Sequence, residues 1–265
     1  MTRIIAITNQ KGGVGKTTTC VNLASALSIA KRRVLLVDFD PQGHATMGSG
    51  VDKKSAKPTG CEVLLDECTL REAIRKLEHG YDLLPGNGDL TAAEVRLMPQ
   101  PGREMRLKRQ LETVRSDYDY VLIDCPPSLG VLTLNALAAA DSVLIPIQCE
   151  FYALDGLTQL LDTIKAVRAT VNAELQMEVL LRTMFDPRNN LGSEVSEQLC
   201  RHFGEKVFTS IVPRNVRLAE APSHGQPIIQ YDKSSRGAQA YMSLAQELVA
   251  RERARPARVS KAAKR

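Results

Sequence analysis

The stretch from residue 3 to residue 30 narrows the possible folds more than any other part of the chain. A strand-length apolar run, Arg3–Thr8, leads directly into Gln10-Lys11-Gly12-Gly13-Val14-Gly15-Lys16-Thr17-Thr18, and a helical pattern over Thr17–Ala30 follows. Glycines let the backbone turn so that successive N–H groups converge on one point, and the helix N-terminus adds the positive end of its dipole. Strand, glycine loop, Lys-Thr and helix in this order make a phosphate-binding loop. Lys16 is placed to reach the β- and γ-phosphates of a nucleotide, and the Thr17 hydroxyl to coordinate Mg²⁺. A dinucleotide-binding loop is the competing reading. It has no use for Gly15-Lys16-Thr17 and needs a third glycine near Thr18.

The remainder of the chain repeats the same rhythm. Arg33–Val37, Tyr81–Leu84, Tyr120–Ile123, Ser142–Ile147 and Met177–Arg182 are near-continuous apolar runs of strand length. Between and after them lie helical patterns over Leu107–Val114, Leu132–Ala139, Leu157–Thr170 and Glu194–Phe203. This alternation predicts an α/β fold with a doubly wound, mostly parallel sheet flanked by helices. A core with 4% aromatic residues and no Trp must rest on Ala, Val, Ile and Leu, which suits such a sheet. Two segments break the rhythm. Gly43–Gly60 reads as a mobile loop beside the site, and Pro85–Gly102 as a surface excursion.

No internal repeat or linker divides the chain, so residues 1–250 are expected to form one domain. Tyr241, Leu244, Ala245, Leu248 and Val249 give its last helix an apolar face. Residues 251–265 form a basic, flexible tail that carries +6 and leaves −1 of the chain's +5 for the rest. The tail has one Val and no Leu, Ile, Phe or Trp, too little to bury in a bilayer. With no membrane-spanning stretch and no signal-peptide core, no membrane partner is expected. The six cysteines contain no C-x-x-C pair and read as reduced cytoplasmic thiols, not a zinc site or disulfide framework.

Two further strands end in acids. Val34–Val37 runs into Asp38-Phe39-Asp40-Pro41-Gln42-Gly43, and Tyr120–Ile123 into Asp124-Cys125-Pro126-Pro127-Ser128. Ligands of open α/β sheets bind at the carboxyl ends of the strands, so Asp38, Asp40 and Asp124 should face the Mg²⁺–phosphate region. A lone strand-end Asp is more often a cap or turn residue. Three of them beside a phosphate loop favour the functional reading.

The loop lacks the usual glycine five positions before Gly15; Gln10 stands there and Lys11 follows. In this it resembles the deviant Walker A box of the ParA/MinD superfamily of P-loop NTPases. The likeness to the ParA/Soj family extends from about Ile4 to Leu248. It includes Gln148-Cys149-Glu150-Phe151-Tyr152-Ala153-Leu154, Thr183-Met184-Phe185-Asp186-Pro187-Arg188 and Pro213-Arg214-Asn215-Val216-Arg217-Leu218-Ala219-Glu220-Ala221-Pro222-Ser223. His44 departs from it, standing where the family commonly has Asn.

The resemblance implies an ATPase that uses ATP/ADP and Mg²⁺. Lys11 would contact phosphates across a homodimer interface that closes at Lys11 and Gly12 when ATP binds. Asp40 would position or activate the attacking water, with Lys11 and Lys16 the other catalytic residues. Thr17, Asp38 and Asp124 would hold the metal, directly or through water. Pro213 and Asn215 would line the adenine pocket. Arg188, Arg217 and, more weakly, Arg236 would bind double-stranded DNA without sequence preference; for a surface arginine the ordinary alternative is a local salt bridge.

The implied function is a cytoplasmic, nucleoid-associated switch that segregates a chromosome or plasmid, with a ParB-type centromere-binding protein stimulating hydrolysis. The alternatives are a related positioning ATPase for a protein cargo, a MinD-like membrane-recruited regulator, and a metabolic enzyme using the same loop. An iron–sulfur reductase is disfavoured because the surroundings of Cys125 and Cys149 do not match that family.

Overall fold

Both faces of a buried parallel sheet must be covered, and these strands meet that demand by alternation. In β1 (Arg3–Ile7), Ile4 and Ala6 join one apolar cluster while Ile5 and Ile7 join the other. In β2 (Val34–Asp38), Leu35 and Val37 lie on the first face and Val34 and Leu36 on the second. Side chains of successive strand residues point to opposite faces, so one run of apolar residues feeds two cores.

The structure, a computed structural model, describes residues 2–151 and 153–254. The remaining strands are β3 (Arg75–Lys76), β4 (Asp82–Leu84), β5 (Tyr120–Asp124), β6 (Ser142–Gln148) and β7 (Gln176–Thr183). They form one sheet in the order β3-β4-β2-β5-β1-β6-β7. Every pairing is parallel except β3 with β4, an antiparallel edge. The doubly wound sheet expected from the alternation is present. The two-residue edge strand is too short to leave a periodic signal.

Helices 89–97, 106–112, 131–139 and 153–170 cover the first face, through side chains such as Leu97, Leu111, Leu132 and Leu160. Helix α1 (Lys16–Ile29) and helix 236–254 cover the second, through Leu23, Leu27, Tyr241, Leu244 and Leu248.

Three local expectations need correction. Residues 43–60 are not a free loop. They hold a short helix, His44–Gly48, with Ala45 and Thr46 buried, and end in a capping box where Thr59 and Glu62 satisfy each other ahead of helix Gly60–Leu64. Residues 85–102 are not a bare surface excursion either. They contain helix Asp89–Leu97, whose Leu90, Ala93 and Leu97 are buried. The last helix does not stop at Arg251. It runs to Ala254, and Arg251 docks on Glu247, on the Glu205 and Val207 carbonyls and over the Phe208 ring. Glu252 accepts a hydrogen bond from the Tyr120 hydroxyl and lies 3.9 Å from Arg3 Nε. The rest of the basic tail, 255–265, lies outside the described residues.

Candidate functional site

β1, β2 and β5 all deliver their carboxyl ends to one place. Asp38 and Asp124 are direct cross-strand partners, and Ile7 is the partner of Asp124 on the other side. Adjacent strands run about 4.8 Å apart. Sheet register alone therefore brings the two aspartates together beside the loop that leaves β1.

That loop folds back over its own lysine. Gly13 and Gly15 take φ of +73° and +87°, a conformation side-chain-bearing residues avoid. The Lys16 amine donates to the Lys11 carbonyl at 3.1 Å, and Thr183 Oγ1 donates to the Val14 carbonyl at 2.8 Å, tying the loop to the end of β7. Asn9 braces the entry, its amide donating to the Pro146 carbonyl at 2.8 Å and its oxygen accepting from Lys11 N at 3.0 Å. Lys16 is buried, and desolvation lowers its pKa against the pull of Asp124 and Asp40. Gly12 is not among the positive-φ glycines, and a Cβ there, as at Gly13, would meet nothing within 4 Å.

The three acids have distinct settings. Asp38 is fully buried; its Oδ2 accepts from Thr46 N at 2.7 Å and Thr46 Oγ1 at 2.6 Å, and its Oδ1 from Asp40 N at 3.3 Å. Asp124 is equally buried. Cys20 Sγ approaches its Oδ1 at 3.4 Å, the Thr17 hydroxyl lies beside the carboxylate and pulls its pKa down, and Oδ2 has no partner. Burial raises both carboxyls above their ordinary range, and each charge opposes its acidic neighbours. Asp40 is less deeply buried, with Oδ1 accepting from Gln42 N at 2.9 Å.

An orphaned buried carboxylate oxygen beside a threonine hydroxyl and a buried lysine suits a cation brought in with phosphate. Among the described residues, no group of three or more His, Cys, Asp or Glu is placed to hold a metal unaided. That pattern fits Mg²⁺, which keeps waters and shares substrate phosphates, better than a metal caged by protein alone.

On the far side of Gly15 and Thr18 a cavity of about 180 Å³ opens, lined also by Pro213, Asn215, Leu218 and Tyr241. Asn215 Oδ1 caps the short helix Val216–Glu220 by accepting from Leu218 N at 3.2 Å. Its carbonyl thus occupied, the amide group offers a base edge its N–H donors.

Lys11 reaches away from the loop and pairs with Glu150 at 2.6 Å, both side chains more than a third exposed. Arg188 pairs with Asp186 at 2.7 Å, and Arg217 with Glu220 at 2.9 Å and Asp232 at 3.6 Å. Arg236 is exposed at the first turn of its helix. The structure brings Arg188 and Arg217 onto adjacent segments, since Phe185 and Pro213 form a parallel bridge. Sequence reasoning gave no site role to Thr46, Glu150, Thr183 or Tyr241, although Glu150 and Thr183 lie in the family-like boxes and Tyr241 on the apolar face of the last helix. The fold, and not their residue type, places them beside the loop.

A family model described as an AAA domain matches residues 2–177. The sporulation initiation inhibitor protein Soj of Bacillus subtilis is 53% identical over 94% of this chain and 99% of its own length. The chromosome partitioning protein ParA of Caulobacter vibrioides is 48% identical over 97% of this chain and 98% of its own. The chain belongs to the ParA/Soj family. Among solved structures, cobyrinic acid a,c-diamide synthase from Mycobacterium smegmatis with bound ATP analog and magnesium shares 39% identity over 96% of this chain and 97% of its own, with a TM-score of 0.85. The cell division ATPase MinD of Pyrococcus furiosus shares 26% identity over 94% of this chain and 99% of its own, with a TM-score of 0.79. This ParA/Soj chain is a P-loop ATPase, and its strand-end aspartates and phosphate loop lie at the carboxyl edge of its sheet. No helix among the described residues is long and apolar enough to cross a membrane.

Proposed function

We propose that this chain is an ATP-driven partition switch. Mg²⁺ and ATP occupy the phosphate loop, and two subunits close face to face over two nucleotides. The closed dimer then binds double-stranded DNA through Arg188, Arg217 and Arg236, and a ParB-type partner stimulates hydrolysis and release. The cargo is a chromosome or plasmid, and the nucleoid is the working surface. The observation that carries this reading is the loop itself, with a buried Lys16 within the pocket and a solvent-facing Lys11 and Gly12 at its mouth. A second lysine that points out of the pocket suits a phosphate held by another subunit.

In this reading Lys16 neutralises the β- and γ-phosphates, and the Thr17 hydroxyl with Asp38 and Asp124 holds Mg²⁺ directly or through water. Mg²⁺ held by these residues would supply charge neutralisation to the phosphates. Asp40 orients and deprotonates the attacking water. Pro213 gives the base a flat apolar wall, and Asn215 donates to its edge. Lys11 exchanges Glu150 for the partner's phosphates, which couples nucleotide to dimerisation. Arg188 and Arg217 likewise exchange carboxylates for DNA phosphates.

An electrophoretic shift on unrelated duplexes, with ATP, ADP or no nucleotide across a salt series, tests the proposal. Binding only with ATP, indifferent to sequence and lost at high salt, is expected. Failure to bind in every state would remove the DNA track. One observation favours a second reading, the 39% identity to a protein named as a diamide synthase. ATP turnover that depends on a small carboxylic acid, and not on DNA, would select it.

A further inference from the structure

The walls of the base cavity also carry two of the arginines assigned to DNA. Helix Val216–Glu220, capped by Asn215, bears Arg217 and sends Leu218 into the cavity. Helix 236–254 begins at Arg236 and sends in Tyr241 one turn later. Tyr241 is buried, with its hydroxyl 3.2 Å from Thr19 Oγ1 of α1, so the long helix is also tied to the helix that follows the phosphate loop.

Two contacts join the arginine-bearing helices. A Cβ built on Gly237 would lie 2.6 Å from Leu218 Cγ and 2.9 Å from its Cδ1. The helices therefore meet at a separation only glycine permits. Arg217 Nε also lies 3.6 Å from Asp232 Oδ2, in the turn whose Ser235 hydroxyl accepts from Ala238 N at 3.1 Å and caps the long helix. Close-packed contacts of this kind pass on small displacements because there is no slack to absorb them. A triphosphate seated only in the loop touches neither Leu218 nor Gly237. A base in the cavity meets Leu218 directly.

We infer that the Leu218–Gly237 contact is a positioning link through which an occupied base cavity fixes the separation of Arg217 and Arg236. The base, and not the triphosphate alone, then sets affinity for DNA; this consequence rests on the partition-switch reading for what the arginines bind. Gly237 lies outside the cavity, so its role is mechanical.

Amide hydrogen exchange on the full chain with Mg²⁺, comparing ATP, inorganic tripolyphosphate and no ligand, tests the link. Protection of amides 12–18 reports an occupied loop. ATP is expected to slow exchange at 237–241 about tenfold, whereas tripolyphosphate that protects the loop equally leaves 237–241 unchanged. In Gly237→Ala, where the new methyl sets the spacing, ATP still protects the loop, but the change at 237–241 disappears and ATP-dependent DNA affinity falls about tenfold. In the double variant Gly237→Ala with Leu218→Ala the methyl is accommodated but the base no longer meets Leu218, so ATP still protects the loop and still leaves 237–241 unchanged. Should Gly237→Ala fail to fold, the double variant and the tripolyphosphate comparison still decide the matter. Equal effects of ATP and tripolyphosphate at 237–241, or a Gly237→Ala protein with wild-type exchange and DNA binding, overturn the inference. A wild-type chain that binds no DNA in any state would instead sink the partition reading, and the exchange pattern would still judge the contact.

Discussion

The nucleotide end of the molecule and its arginine face are built on opposite principles. At the nucleotide end Asp38, Asp124 and Lys16 are buried, and strand register with loop geometry sets their positions before any ligand arrives. On the arginine face Arg188 and Arg217 are exposed, sit in or beside short segments, and are paired with their own neighbours' carboxylates. Buried charges in a water-poor pocket act strongly and are costly to leave unpaired; exposed pairs contribute little and exchange partners readily. The first arrangement suits a reaction centre. The second suits a surface that must let go of its ligand.

The sharpest test of that contrast is at Asp40. Asp40→Ala should lower ATP turnover by about 10²- to 10⁴-fold, as loss of a general base does, while the ATP-bound dimer stays on DNA. Turnover close to wild type in a steady-state phosphate assay would end the assigned role. Lys16→Ala should weaken nucleotide binding by about 10²-fold or more, measured by calorimetry, since one preorganised charged contact is lost from a buried site. Arg188→Ala and Arg217→Ala should leave nucleotide binding alone. Each should reduce the slope of log affinity for DNA against log salt by about 1. An unchanged slope would leave these arginines as ordinary surface ion pairs.

Two smaller effects sharpen the comparison further. Gly12→Val should abolish ATP-dependent dimerisation in a sizing experiment without lowering the melting temperature of the monomer, because the added side chain meets only open space within the subunit. A lower melting temperature would place the effect inside the fold. The remaining effect concerns pH. Burial raises the folded pKa of Asp124 to about 8, so its contribution to stability is full below the ordinary carboxylate pKa, about 4, and is lost as pH rises towards 8. Without nucleotide, the melting temperature of Asp124→Asn should therefore exceed that of wild type by a margin that grows with pH. Mg²⁺ and ATP should shrink or reverse the margin, because the cation favours the carboxylate. A margin independent of pH would contradict the burial argument.

How much of this was legible in the sequence follows the same division. The doubly wound sheet was readable because β1, β2 and β5 carry near-continuous apolar runs, and the loop because its glycines and Lys-Thr fall at fixed spacing. Asp38 and Asp124 could be placed because strand ends are where such sheets bind ligands. The segment 43–60 was not readable. Its Gly, Ser, Thr and Lys content signals a loop, whereas Thr46 becomes buried only because Asp38 takes both its N–H and its hydroxyl. Helix Asp89–Leu97 was masked by the Pro and Gly on either side of it. The pairing of Lys11 with Glu150 joins residues far apart in sequence, and only the placement of β6 beside β1 brings them together.

The clasp that Tyr120 and Arg3 make on Glu252 decides where the described chain ends in space. Arg3 and Tyr120 open β1 and β5, so the clasp lies at the amino edge of the sheet, opposite the aspartates. Helix 236–254 has 19 residues and, at about 1.5 Å per residue, spans roughly 28 Å from Arg236 to Ala254. A dye or tether joined at Ala254 would thus leave from the pole away from the nucleotide. Immobilising the protein through Ala254 keeps the loop mouth clear, whereas a label at Arg236 would sit at the opposite end of the helix.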